Sequence, residues 1–118
     1  MVGAHEYALV VEDSLHRQLR FLRQLGSTAT KIVSRAPDAI RELEARHFDV
    51  VFLDRDLVIS GGYGEDVAAY LAEIKFPGLV ICHSTNSFGA AVIEKTLKDG
   101  GINVEVAPFD VLGVFREK

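Results

Sequence analysis

Apolar positions along this chain keep two alternating rhythms. Tyr7 to Val11 is a continuous apolar run of strand length. From Ser14 the spacing becomes helical, with Leu15, Leu19, Leu22 and Leu25 about one turn apart and Gly26 placed to stop the helix. Lys31 to Ser34 reads as a short strand. Pro37 suits the first turn of a second helix, with Asp38 near its positive end and Ile40 and Leu43 on its inner face. Asp49 to Asp54 (DVVFLD) is apolar on both faces, the pattern of a central strand in a parallel sheet. Gly61, Gly62 and Gly64 then break the chain, and Val67, Ala68, Leu71 and Ile74 form a third helical stripe. Leu79 to Cys82 is a fourth strand. A polar patch from His83 to Ser87 leads into a helix carrying Ala90, Ala91, Ile93 and Leu97, closed by Gly100 and Gly101. Ile102 to Val106 reads as a fifth strand, followed by Pro108 and a short tail.

Five strands alternating with helical patterns predict a parallel sheet covered on both faces. Right-handed crossovers make it a doubly wound α/β sandwich. Ligands of such folds bind in the crevice at the carboxyl ends of the strands. Those ends carry Glu12 and Asp13, then Asp54 and Asp56, then His83 to Asn86, then Ala107.

Composition narrows the class. The 118 residues, 48% hydrophobic and 25% charged, suit one compact domain over 1–118 rather than a disordered chain. The apolar runs fall far short of the roughly 20 residues that a membrane helix needs. No basic segment leading into an apolar stretch opens the sequence, so a secretory signal is not expected. Cys82 is the one cysteine, which excludes an intrachain disulfide and points to a reducing cytoplasm. A net charge of −4 makes general binding to nucleic-acid backbones unexpected.

Carboxylates delivered in pairs by two strand ends repel one another unless a cation sits among them. Oxygen donors with one histidine at most favour a hard ion such as Mg²⁺. Taken singly, Glu12 or Asp13 could merely cap the first helix, and Asp56 could begin a solvated loop. The arginines Arg17, Arg20 and Arg23 read as the solvated face of that helix. Cys82 reads as an inert core thiol.

From Ala8 to about Phe109 the chain resembles the receiver domain of bacterial response regulators. The resemblance rests on ALVVED with its acidic pair, on VVFLD ending at Asp54, and on APF from Ala107 to Phe109. It implies a flavodoxin-like five-stranded parallel sheet of order 2-1-3-4-5. It further implies a Mg²⁺ site at Glu12, Asp13 and Asp54, with Asp54 as phosphoacceptor and a histidine kinase or other phosphodonor as partner. The sequence also departs from that pattern. Ala107 stands where receivers carry a lysine, Val104 replaces the aromatic residue three places earlier, and Asp56 follows the acceptor. His83-Ser84-Thr85-Asn86 replaces the usual hydroxyl–alanine pair. The acids after the third strand, the Gly62–Gly64–Asp66 step and H-S-x-N together resemble a divergent receiver group proposed to process cyclic phosphates.

Three functions follow from these residues. The first is a phosphorelay receiver that accepts phosphate on Asp54. The second is a metal-dependent phosphoesterase acting on cyclic phosphates, with Asp54, Asp56 and His83 as catalytic residues and Ser84, Thr85 and Asn86 as the phosphate-binding groups. The third is a pseudo-receiver used only for protein interaction. His83 also has a structural alternative, as a cap of the fourth helix. The last helix is shortened, with only Val111, Leu112, Val114 and Phe115 to cover apolar surface on the first helix. That leaves a face suited to a partner or a homodimer.

Overall fold

In the computed structural model, which describes residues 7–25, 29–54, 64–83 and 87–107, strands and helices alternate along the chain. They are β1 (Tyr7–Val11), α1 (Leu15–Leu25), β2 (Ala29–Val33), α2 (Ala36–Ala45), β3 (Val50–Asp54), α3 (Gly64–Glu73), β4 (Leu79–His83), α4 (Ser87–Asp99) and β5 (Asn103–Ala107). The strands form one parallel sheet in the order β2-β1-β3-β4-β5. This is the doubly wound architecture expected from the alternation. Element ends differ from the sequence reading by a residue or two. The difference that matters is at β4, which extends one residue further and takes in His83.

Successive strand residues point to opposite faces, and register partners in a parallel sheet point the same way. Leu9, Val11, Val51, Leu53, Val80 and Cys82 therefore share one face, buried against Ala36 and Ala39 of α2, Val67, Ala68 and Leu71 of α3, and Ile93 and Leu97 of α4. Ala8, Val10, Val50, Phe52 and Ile81 share the other face with Phe21 and Leu25 of α1. Cys82 is fully buried within this core. Continuing the alternation by one step puts Glu12, Asp54 and His83 on the α1 side of the sheet. Ala107 is the register partner of His83 on β5.

Two helices end in the same way. At α4, Gly101 N–H donates to Lys98 O and Ile102 N–H to Leu97 O, with Gly101 at φ 81°. At α3, Lys75 N–H donates to Ala72 O and Phe76 N–H to Leu71 O, with Lys75 at φ 54°. Both satisfy the last carbonyls through one left-handed residue. At the start of β4, Leu79 N–H donates to Asp49 O at 3.2 Å, and a Cβ on Gly78 would collide with that same carbonyl.

Helix α1 presents a different face from the one its leucines suggest. Leu15, Leu19 and Leu22 are exposed, at 70%, 52% and 49%, while Phe21 and Leu25 are buried. Phe21 decides the rotation. Its ring packs at 5.0–5.1 Å from those of His83 and Phe52, which turns the Arg17, Gln18 and Phe21 row toward the sheet. The tail that the sequence reading sets over this helix, including Val111, Leu112, Val114 and Phe115, lies outside the described residues. No helix among the described residues is long and apolar enough to cross a membrane.

Candidate functional site

Strands β1, β3 and β4 are neighbours, about 4.8 Å apart as sheet hydrogen bonding requires. The first residue after β1 is Glu12, and β3 and β4 end in Asp54 and His83, register partners of one another. All three side chains are fully buried. One donor atom from each lies within 4.8 Å of the other two. His83 Nε2 is 2.9 Å from Glu12 Oε1. This places the His83 imidazole in the crevice, against Glu12.

The start of α1 closes over the acids. Ser14 N–H donates to Glu12 Oε2 at 3.0 Å, and the Gln18 amide donates to Glu12 O at 2.6 Å. One guanidinium nitrogen of Arg17 lies 3.9 Å from Glu12 Oε1 and 3.9 Å from Asp54 Oδ2. Burial pushes the Glu12 carboxyl above its ordinary value. The Ser14 amide, the Asp54 carboxyl and the Arg17 guanidinium pull it back down, and the charge of Asp13 adds to the rise. Two buried carboxylates beside an imidazole form a donor set that a divalent cation satisfies, with carboxylates suiting Mg²⁺ or Mn²⁺ and imidazole drawing later transition ions.

The sequence-predicted residues divide accordingly. Glu12, Asp54 and His83 come together. Asp13 is half-buried next to Glu12 and is not among the three clustered donors. Asp56, Ser84, Thr85 and Asn86 lie outside the described residues. Arg17, which the sequence reading assigns to the solvated face of α1, is instead partly buried over the acids, its side chain only 26% exposed. That is a correction, and the cause is Phe21. Arg17 precedes it by one helical turn and is carried to the same face.

Comparison with known proteins agrees with this architecture. Residues 7–99 match the family described as the cyclic-phosphate processing Receiver domain. The chain belongs to that family. No curated protein matches the sequence. Among solved structures, the signal receiver domain of a Luxo repressor protein from Vibrio parahaemolyticus superposes with a TM-score of 0.76 at 22% identity, over 96% of this chain and 85% of that one. The receiver domain of a sensor histidine kinase from Pseudomonas aeruginosa PAO1 has a TM-score of 0.72 at 17% identity, over 96% and 95% of the two chains, and holds a magnesium ion coordinated in its active-site cleft. The receiver domain of NtrX from Brucella abortus gives 0.72 at 20% identity, over 93% and 94%. At these identities the likeness is one of fold. This receiver domain keeps the five-stranded parallel sheet of those structures.

Proposed function

We propose that this receiver domain accepts a phosphoryl group on Asp54 with the help of a divalent cation, Mg²⁺ by preference. The observation that carries the reading is the burial of Glu12 and Asp54 with their donor atoms inside a 4.8 Å cluster at the carboxyl end of the sheet. An Asp54 oxygen forms the new P–O bond. The donor's own bond to phosphorus breaks, and its leaving group departs with that electron pair. Glu12 and Asp13 are the other residues that would hold the cation, which when bound offsets phosphoryl charge and orients the donor. The partner is a histidine kinase or a small acyl phosphate, and the reaction belongs in the cytoplasm.

Incubation with acetyl phosphate and Mg²⁺ tests this, read by intact-protein mass. A phosphoryl adduct on wild type that is absent in Asp54→Asn is the expected result. No adduct in wild type would overturn the reading.

A second reading draws on His83. Its imidazole, buried against Glu12 and beside Asp54, is a proton-transfer group that a phosphoesterase acting on cyclic phosphates would use. Asp56 would be the companion acid or base, and Ser84, Thr85 and Asn86 would bind phosphate. Steady release of product from a 2′,3′-cyclic nucleotide, without a lasting protein adduct, distinguishes it from phosphoacceptance.

Two copies of the chain are the proposed assembly. The stripe of Leu15, Leu19 and Leu22 on α1 is the surface that a second copy would bury.

A further inference from the structure

We infer that Arg17 is the phosphoryl-holding cation of this site, acting from α1 in place of a lysine on β5. The inference rests on the reading of Asp54 as acceptor.

Four observations carry it. First, the register sets Ala107 beside His83 at the end of β5, so that strand brings no ammonium to the crevice. Second, the Arg17 guanidinium stands 3.9 Å from Glu12 Oε1 and 3.9 Å from Asp54 Oδ2, beyond hydrogen-bond length to both. It is drawn by the charge of the pair. A phosphoryl group on Asp54 would bring its oxygens into that gap. Third, the two carboxylates are buried while the Arg17 side chain is 26% exposed, so the guanidinium keeps access to solvent that the acids have lost. Fourth, its backbone is fixed. Arg17 N–H donates to Ser14 Oγ, the Gln18 amide donates to Glu12 O, and Phe21 one turn later packs on His83.

The chemistry suits the placement. A guanidinium is a permanent cation whose planar fork can meet two phosphoryl oxygens at once. Two carboxylates and one guanidinium leave the site negative overall, which draws in a divalent cation. Cation and guanidinium together then offset a phosphoryl dianion, as neither does alone. When Asp54 is modified, the ion pair at 3.9 Å passes from its carboxylate to the phosphoryl oxygens. The positive charge that holds the phosphoryl group then comes from a helix and not from a strand end.

Beryllofluoride, a tetrahedral phosphoryl mimic, tests this in the presence of Mg²⁺. Its affinity is measured for wild type, Arg17→Met, Ala107→Lys and the double variant, with thermal unfolding recorded for each. Loss of one charge-assisted contact should weaken binding by Arg17→Met by roughly tenfold or more. Ala107→Lys should recover it in the double variant without changing the thermal midpoint, which a merely structural ion pair would not do. In the wild-type background Ala107→Lys should add little, because the position of the cation is already filled. Equal affinity in wild type and Arg17→Met overturns the inference alone. So does a tenfold gain from Ala107→Lys in the wild-type background, a measurement that stands even if Arg17→Met fails to fold. A wild type that neither binds beryllofluoride nor is labelled by acetyl phosphate overturns the acceptor reading, and the inference with it.

Discussion

His83 Nε2 and Glu12 Oε1, 71 positions apart in sequence, meet at 2.9 Å with both side chains fully buried. Each group answers a cost that the other would bear alone. A buried carboxylate loses its hydration, and a buried imidazole nitrogen loses a water partner. The contact joins the two groups in the crevice, beside Asp54.

If Glu12, Asp54 and His83 form one cation site, calorimetry with Mg²⁺ or Mn²⁺ will give a single binding event. Asp54→Asn should weaken it by about tenfold or more, since a charged oxygen ligand is lost. Should His83 take part, Mn²⁺ will bind more tightly than Mg²⁺, and His83→Gln will narrow the gap. Unchanged affinity in Asp54→Asn removes that residue from the site.

The phosphoesterase reading has its own check. General acid–base groups contribute about 10²–10⁴-fold in rate, so any turnover of a cyclic nucleotide should fall by about that factor in His83→Ala. Full activity in a protein carrying both His83→Ala and Asp56→Ala would exclude both residues as the proton-transfer groups.

Two backbone positions predict opposite effects on stability. Gly78→Ala drives a methyl group into the Asp49 carbonyl and should cost about 1–3 kcal/mol, as overpacking does. Lys75→Gly relieves a left-handed residue that costs about 1–2 kcal/mol, less the extra chain entropy of glycine, for a net gain of about 0.5–1 kcal/mol. Urea unfolding of the two variants against wild type measures both.

Much of this architecture was legible because apolar periodicity is a local signal. DVVFLD could be little else than a buried parallel strand, and β3 is buried along its whole length. The same locality explains the failure at α1. Leu15, Leu19 and Leu22 make a plausible inner stripe on a helical projection, and nothing nearby in sequence says that Phe21 will meet Phe52 and His83 across the chain. Arg17 was lost with that rotation. At the site, Asp54 could be read because it ends a strand. The His83–Glu12 contact could not, because it depends on β1 and β4 flanking β3 and on β4 running one residue longer than its apolar run.

Stability should also follow pH through Asp49. Its carboxylate accepts the Tyr7 N–H at 2.8 Å, and that bond, helped by His47, holds its pKa below the usual carboxylate range. A lowered folded pKa means a contribution present above the unfolded value of about 3.9 and lost as pH falls through the folded one. Wild type should therefore exceed Asp49→Asn in stability at neutral pH. The difference should shrink only below about pH 4 in denaturant titrations run at successive pH values. A constant difference down to the most acid sample would show that the carboxylate charge is not what matters.

Self-association is the expectation from the outer face of α1. Sedimentation equilibrium over a wide concentration range should show a dimer that Leu19→Glu weakens, since the charge falls in the centre of the exposed Leu15, Leu19 and Leu22 stripe. A 13.0 kDa species throughout rejects the homodimer.

Two of the three buried donors end adjacent strands of one sheet and Glu12 directly follows a third, whereas the guanidinium that faces them stands on a helix. Adjoining strands share backbone hydrogen bonds and cannot slide or spread without breaking several at once. A helix seated by a few side chains can roll by a few degrees at far smaller cost. The acids are therefore an anvil and α1 a hammer. Substitution of Phe21, or of the leucines on the opposite side of that helix, would shift the guanidinium and leave every acid in the crevice untouched.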